Sequence, residues 1–149
     1  MKLRILMADD FAPWRHFVSS LVRDMKPVWH IISEVSDGLE AVKKAEELRP
    51  DLILLDIGLP ELNGIEAARR INVTTSDVKI LFLSAFDSAE LVESALKTGA
   101  SGYIIKLDAG SELLTAIEEV SQGRRFISRR LMGSIVCPHA NFIGRASSR

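Results

Sequence analysis

Five polar side chains stand directly behind apolar runs: Asp9 and Asp10 behind LRILMA (3–8), Asp56 behind LILL (52–55), Ser84 at the end of KILFLS (79–84) and Lys106 at the end of SGYIIK (101–106). An ionised carboxylate at the end of a dry run is costly unless something pairs with it. Three carboxylates brought together repel one another and call for a cation, and hard oxygen ligands with room for water suit Mg²⁺. A carboxylate can also attack phosphorus and form an aspartyl phosphate. In that chemistry the Lys106 ammonium offsets a second share of negative charge, and the Ser84 hydroxyl hydrogen-bonds a phosphoryl oxygen. Each residue alone has a plain explanation: Asp9 and Asp10 as helix caps, Asp56 in a turn, Ser84 ending a strand, Lys106 as a solvated lysine. Their convergence on one edge favours the chemical reading.

Convergence requires elements that bring these positions together, and two periodicities alternate along the chain. LRILMA predicts a strand, and Phe17, Val18, Leu21, Val22 and Met25 follow at helical spacing. WHIISEV (29–35) predicts a second strand. Asp37 and Glu40 then have capping-box spacing before Leu39, Val42, Ala45 and Leu48, and Pro50 stops that helix. DLILLD is the third strand, followed after Gly58 and Pro60 by a short helix with Ile65, Ala68 and Ile71. KILFLS is the fourth, followed by Leu91, Val92, Ala95 and Leu96 and closed by Gly99. SGYIIK is the fifth; Ser111 is taken as the N-cap of a last helix carrying Leu113, Leu114, Ile117 and Val120 up to Gly123. The central strands are continuous apolar runs, as expected of a parallel sheet buried on both faces. Right-handed crossovers make it doubly wound α/β, with ligands at the carboxyl ends of the strands.

The 149 residues are 47% hydrophobic and 26% charged, a balance that supports one domain with a substantial core. The single cysteine, Cys137, forms no internal disulfide, and no stretch reaches the roughly 18 apolar residues of a membrane span. A cytoplasmic location without membrane insertion is expected. His16, His30 and His139 lack metal-ligand spacing. The net charge is −1, but residues 124–149 carry six arginines and no acidic side chain, whereas residues 1–123 carry 13 basic against 20 acidic side chains. The division expected on these grounds is a domain over 1–123 and a basic tail or linker over 124–149.

The segments MADD, LILLDIGLPELNGIEAARRI, ILFLSA and GASGYIIK resemble those of the receiver domains of two-component response regulators, over roughly residues 2–123. The resemblance implies a flavodoxin-like (βα)5 fold with five parallel strands in the order 2-1-3-4-5. It implies Asp56 as phosphoacceptor, Asp10 as direct Mg²⁺ ligand, Asp9 acting through water and the Gly58 backbone carbonyl as a further ligand. Ser84 resembles the switch hydroxyl and Tyr103 the switch aromatic. Phosphorylation would draw Ser84 toward the phosphoryl group and let Tyr103 turn inward. That would change the face of the fourth helix, fifth strand and fifth helix, a surface for a homodimer or another partner. The implied donor is a histidine kinase, and the implied activity is a self-catalysed switch rather than an enzyme with a diffusible substrate. The wording of residues 56–71 is most similar to receivers that precede a LuxR-like helix-turn-helix output domain, which would need about 60 further residues. The family often has proline after the lysine; here Leu107 follows Lys106.

Two other readings are weighed. A haloacid-dehalogenase-like phosphatase would want a second aspartate two residues after Asp56, where Gly58 stands. A degenerate receiver acting only as a docking module has no need of all five polar groups. In the basic tail, Phe126, Ile127, Leu131, Met132, Ile135 and Val136 have approximate helical spacing. This favours continuation of the fifth helix and packing against the receiver or a second copy. No sequence-specific nucleic-acid binding by this chain alone is expected.

Overall fold

In a computed structural model, residues 2–133 are described. The chain runs β1 (Leu3–Ala8), α1 (Ala12–Met25), β2 (Trp29–Val35), α2 (Gly38–Leu48), β3 (Leu52–Leu55), α3 (Gly64–Thr74), β4 (Lys79–Ser84), α4 (Ala89–Leu96), β5 (Gly102–Ile105), α5 (Ala109–Ser121) and β6 (Phe126–Ile127). Short 3₁₀ turns cover Lys106–Asp108 and Arg129–Leu131. All the strand pairs are parallel and the sheet order is β2-β1-β3-β4-β5-β6. The expected five-strand order is present, with β6 added beyond β5.

Alternation along the strands feeds two cores. Ile5, Met7, Leu52, Leu54, Leu81, Leu83 and Ile104 pack toward α1 and α5. Leu6, Ile53, Leu55, Ile80, Phe82 and Tyr103 pack toward α2, α3 and α4. Every side chain of β3 is buried, which is why LILL shows no alternation, and each buried leucine or isoleucine contributes roughly 1.5–3 kcal/mol. Phe82 and Tyr103 lie at the centre of the second core, ring centroids 6.0 Å apart.

Helix starts follow the side-chain oxygens. Asp37 accepts from Glu40 N–H at 2.8 Å, Asn63 from Glu66 N–H at 3.0 Å and Ser88 from Leu91 N–H at 3.2 Å. Three expectations need correction. α5 starts at Ala109 rather than after Ser111, whose hydroxyl instead donates to the Asp108 carbonyl at 3.2 Å. The buried stripe of α1 narrows to Val18 and Val22; Phe17 leaves it to stack on Trp14 at 5.2 Å, and Met25 is exposed. Finally, α5 does not continue into the basic segment. Gly123 takes φ +89°, a left-handed conformation that costs glycine little, and the chain turns back to pair Phe126 with Gly102 and Ile127 with Tyr103. A Cβ on Gly102 would overlap the Phe126 carbonyl, so the missing side chain is what admits β6. Phe126, Ile127 and Leu131 are buried, whereas Ile135, Val136, Cys137 and His139 lie outside the described residues. Among the described residues no helix is long and apolar enough to cross a membrane.

Candidate functional site

β1 and β3 are neighbours in register, Ala8 beside Leu55, and each delivers an aspartate one residue past its end. The Asp9 N–H donates to Val35 O and the Asp56 N–H to Ala8 O, both at 3.0 Å, so the two backbones are fixed by continuing the ladders. α3 presses on this point from the side. A Cβ on Gly64 would overlap the Asp56 carbonyl, and Gly64 N–H donates to Ile57 O at 2.7 Å. β4 brings Ser84 to the same edge, and β5 leads directly into the turn that carries Lys106.

One carboxylate oxygen from each of Asp9, Asp10 and Asp56 lies within 4.8 Å of the others. Asp9 and Asp56 are buried and Asp10 is exposed. The Lys106 ammonium sits 2.6 Å from Asp9 Oδ2 and 3.4 Å from Asp56 Oδ2, and 5.1 Å from the centroid of the Trp14 ring. Asp56 Oδ1 accepts from Ile57 N–H at 2.8 Å, and Asp9 Oδ1 from Phe11 N–H at 2.9 Å. Three carboxylates against one ammonium leave the cluster net negative, and low-dielectric surroundings strengthen that field. Burial raises the Asp56 carboxyl above the usual carboxylate range; Lys106 opposes the rise, Asp9 adds to it, and the Ile57 amide opposes it. An all-oxygen donor set with unbalanced negative charge fits a hard divalent cation such as Mg²⁺.

Ser84 and Tyr103 are fully buried and hold the two sides of Phe86's backbone. Ser84 Oγ accepts from Phe86 N–H at 3.1 Å, and the Tyr103 hydroxyl donates to Phe86 O at 2.7 Å. Burial pushes the Tyr103 phenol up to about 12, with the Ser84 hydroxyl opposing the rise and Asp56 and Asp87 adding to it. The Tyr103 ring is therefore already inside this structure. Gly58, two residues past Asp56, is exposed; the Phe86 ring lies 3.4 Å from where its Cβ would be. The Lys106–Leu107 peptide is trans.

Asp9, Asp10, Asp56 and Lys106 thus come together as the sequence implied, while Ser84 and Tyr103 meet one loop beside them. Sequence reasoning missed Trp14 under Lys106 and Arg15, whose guanidinium donates to Asp9 O at 2.6 Å and pairs with Glu34 at 3.2 Å. Both lie in the first turn of the helix that follows Asp9-Asp10, which is the only signal the sequence offers for them.

Residues 5–118 match the sequence profile of the response regulator receiver domain. The chain is 36% identical over 135 residues to the transcriptional regulatory protein DegU of Brevibacillus brevis, covering 91% of this chain and 57% of DegU. It is 33% identical over 120 residues to the chemotaxis protein CheY of Listeria monocytogenes, covering 80% of this chain and 99% of that protein. The crystal structure of a LuxR-family two-component response regulator from Aurantimonas sp. SI85-9A1 superposes with a TM-score of 0.85 at 30% identity, covering 90% of this chain and 95% of that one. The chain spans less than two thirds of the length of DegU, 57%, and of the oxygen regulatory protein NreC of Staphylococcus epidermidis, 64%. With the profile matched over most of its length, this chain belongs to the response regulator receiver domain family.

Proposed function

We propose that the chain is a switch set by phosphorylation of Asp56, with a histidine kinase as donor. The observation that carries this reading is the cluster of Asp9, Asp10 and Asp56 within 4.8 Å, crossed by the Lys106 ammonium at 2.6 Å from Asp9. Asp56 Oδ1 accepts from Ile57 N–H and Oδ2 from the Lys106 ammonium, so the carboxylate is held in place at the centre of the cluster. In the transfer a carboxylate oxygen forms the new bond to phosphorus. The donor's bond to phosphorus breaks, and its leaving group keeps the electron pair and takes up a proton. Asp9, Asp10, Asp56 and the Gly58 carbonyl are the groups that would hold Mg²⁺. When bound there, the ion would supply charge neutralisation for the phosphoryl oxygens.

Phosphorylation adds roughly one unit of negative charge beside Lys106. Ser84 then has a new acceptor to bond, at the expense of the Phe86 amide it holds here. Tyr103 holds the carbonyl of the same residue, so the loop and the core ring respond together. In this reading the change reaches the face of α4, β5 and α5, which serves as the surface for a second copy or another partner. The likeness to DegU, a transcriptional regulatory protein, supports an output domain in transcription as the recipient of the signal.

The test is intact-mass measurement after incubation with acetyl phosphate and Mg²⁺. The native chain should gain one phosphoryl group and Asp56→Asn none. Equal labelling of the two would remove Asp56 from the role.

A further inference from the structure

Ser128 is fully buried while its neighbours Arg129 and Arg130 are exposed. Its hydroxyl accepts from Ile105 N–H at 2.8 Å and donates to Glu112 Oε1 at 2.9 Å. Glu112 Oε2 accepts from Arg129 N–H at 3.1 Å. Arg130 adds two parallel bonds to Asp108, Nε at 2.7 Å and Nη2 at 2.8 Å, which hold that carboxyl below the usual range. Ile105 is the residue before Lys106, and Asp108 lies two residues after it. The segment behind β6 therefore grips the Lys106 turn at both ends. Between the grips there is only one 3₁₀ turn, and Leu107 at its crest is 78% exposed.

We propose that Ser128, Glu112 and Arg130 are positioning residues for Lys106: they hold the backbone from which its ammonium reaches Asp9 and Asp56. This rests on the reading of Asp56 as phosphoacceptor. The Ile105–Ser128–Glu112 bonds are buried or partly buried and so hold their partners firmly, the exposed Arg130–Asp108 pair adds bidentate geometry, and group transfer is sensitive to displacements of about 1 Å in a charged partner. The competing role is a plain staple that fastens β6 to the sheet with no consequence for Lys106.

Lys106 carries its own reporter, because its ammonium lies over the Trp14 ring, and the ring current shifts the adjacent methylene protons. Lys26, 5.3 Å from the Trp29 centroid on the far side of the domain, is an internal control. The experiment is a carbon–proton spectrum of the full chain, with Lys106→Met to assign the resonance, on native, Ser128→Ala and Arg130→Ala proteins without phosphodonor. Both variants should move the Lys106 methylene resonance toward that of exposed lysines and leave Lys26 in place. A Lys106 resonance unmoved relative to Lys26 in both variants overturns the proposal. Should Ser128→Ala lose both shifts, it has lost its fold, and Arg130→Ala, altered at an exposed side chain, decides alone. In a second arm, with acetyl phosphate and Mg²⁺, the variants should hold about threefold less phosphoryl at steady state, or lower still. Native-like levels despite a displaced Lys106 would overturn the link to transfer. A native chain that takes no phosphoryl group overturns the Asp56 reading instead, and the donor-free resonances still report on the grip.

Discussion

Lys106 Nζ lies 2.6 Å from Asp9 Oδ2 and 3.4 Å from Asp56 Oδ2, so the ammonium occupies the side of Asp9 that faces the phosphoacceptor candidate. A divalent cation drawn to the same carboxylates competes with it. Replacing Lys106 by Met keeps most of the apolar stem over Trp14 and removes the charge. Lys106→Met should therefore melt at a lower temperature than the native chain in the presence of a chelator. Added Mg²⁺ should raise its Tm more than it raises that of the native chain. Thermal unfolding at a series of Mg²⁺ concentrations measures this, and equal shifts in both chains would show that the ammonium and the cation do not share Asp9.

Burial, the largest influence on Asp56, raises its carboxyl above the unfolded value of 3.8. A raised folded value means that the native state binds the proton more tightly than the unfolded state. The associated stability is fully present below about pH 3.8 and is lost as pH rises through the folded value. At neutral pH the ionised group is then a cost, and Asp56→Asn, which keeps the shape without the charge, should raise Tm by a few degrees. The gain should shrink as the pH is lowered into the carboxylate range. A gain that stays constant from neutral to acid pH would contradict burial as the dominant influence.

Tyr103 is the only tyrosine in the chain, so phenolate absorbance reports on it alone. Burial raises its phenol from 10.0 to about 12. The folded chain should show no phenolate as pH passes 10.0, and the stability contributed by the protonated hydroxyl should be lost as pH rises through about 12. The Tyr103 hydroxyl and Ser84 hold the same residue, Phe86, so Tyr103→Phe leaves the Phe86 carbonyl without that bond. A phenolate titrating near its ordinary value in the folded protein would mean that the ring spends its time outside the core.

The carboxylate cluster was legible because β1, β3, β4 and β5 are buried on both faces and so appear as largely apolar runs with a polar residue at the carboxyl end. Asp9, Asp56, Ser84 and Lys106 stand out against ILMA, LILL, ILFL and YII for that reason. β6 was not legible, since two residues carry no periodicity and Phe126-Ile127 is flanked by arginines. Its place depends on Gly102, 24 positions earlier, leaving room for the Phe126 carbonyl. Ser128 was hidden for a related reason. A serine followed by two arginines has the composition of a loop, and its partners Ile105 and Glu112 are far off in sequence. Asp108, rather than Ser111, stands before α5 because the Lys106–Asp108 turn leads straight into the helix.

The basic charge that begins at Arg124 would suit a polyanion if the arginines were free, but two of the described ones are paired on the surface with side chains of their own domain. Arg124 bonds the Glu119 carboxylate and the Gln122 side chain, and Arg130 is bidentate on Asp108. Phe126, Ile127 and Leu131, interleaved with them, are buried against the sheet, while Arg145 and Arg149 lie outside the described residues. Arginines held by carboxylates on their own domain would have to give up those bonds to contact phosphates, and phosphate contacts alone carry no sequence information. The chain alone should therefore show no sequence-specific DNA binding, with or without phosphorylation, and any residual binding should be weak and fall steeply with salt. Anisotropy titrations at two salt concentrations, with one candidate duplex and a scrambled competitor, measure this. Salt-resistant binding that tells the duplexes apart would make the basic segment an output element in its own right, and Arg130→Ala would then be expected to weaken DNA binding as well as loosen the Lys106 turn.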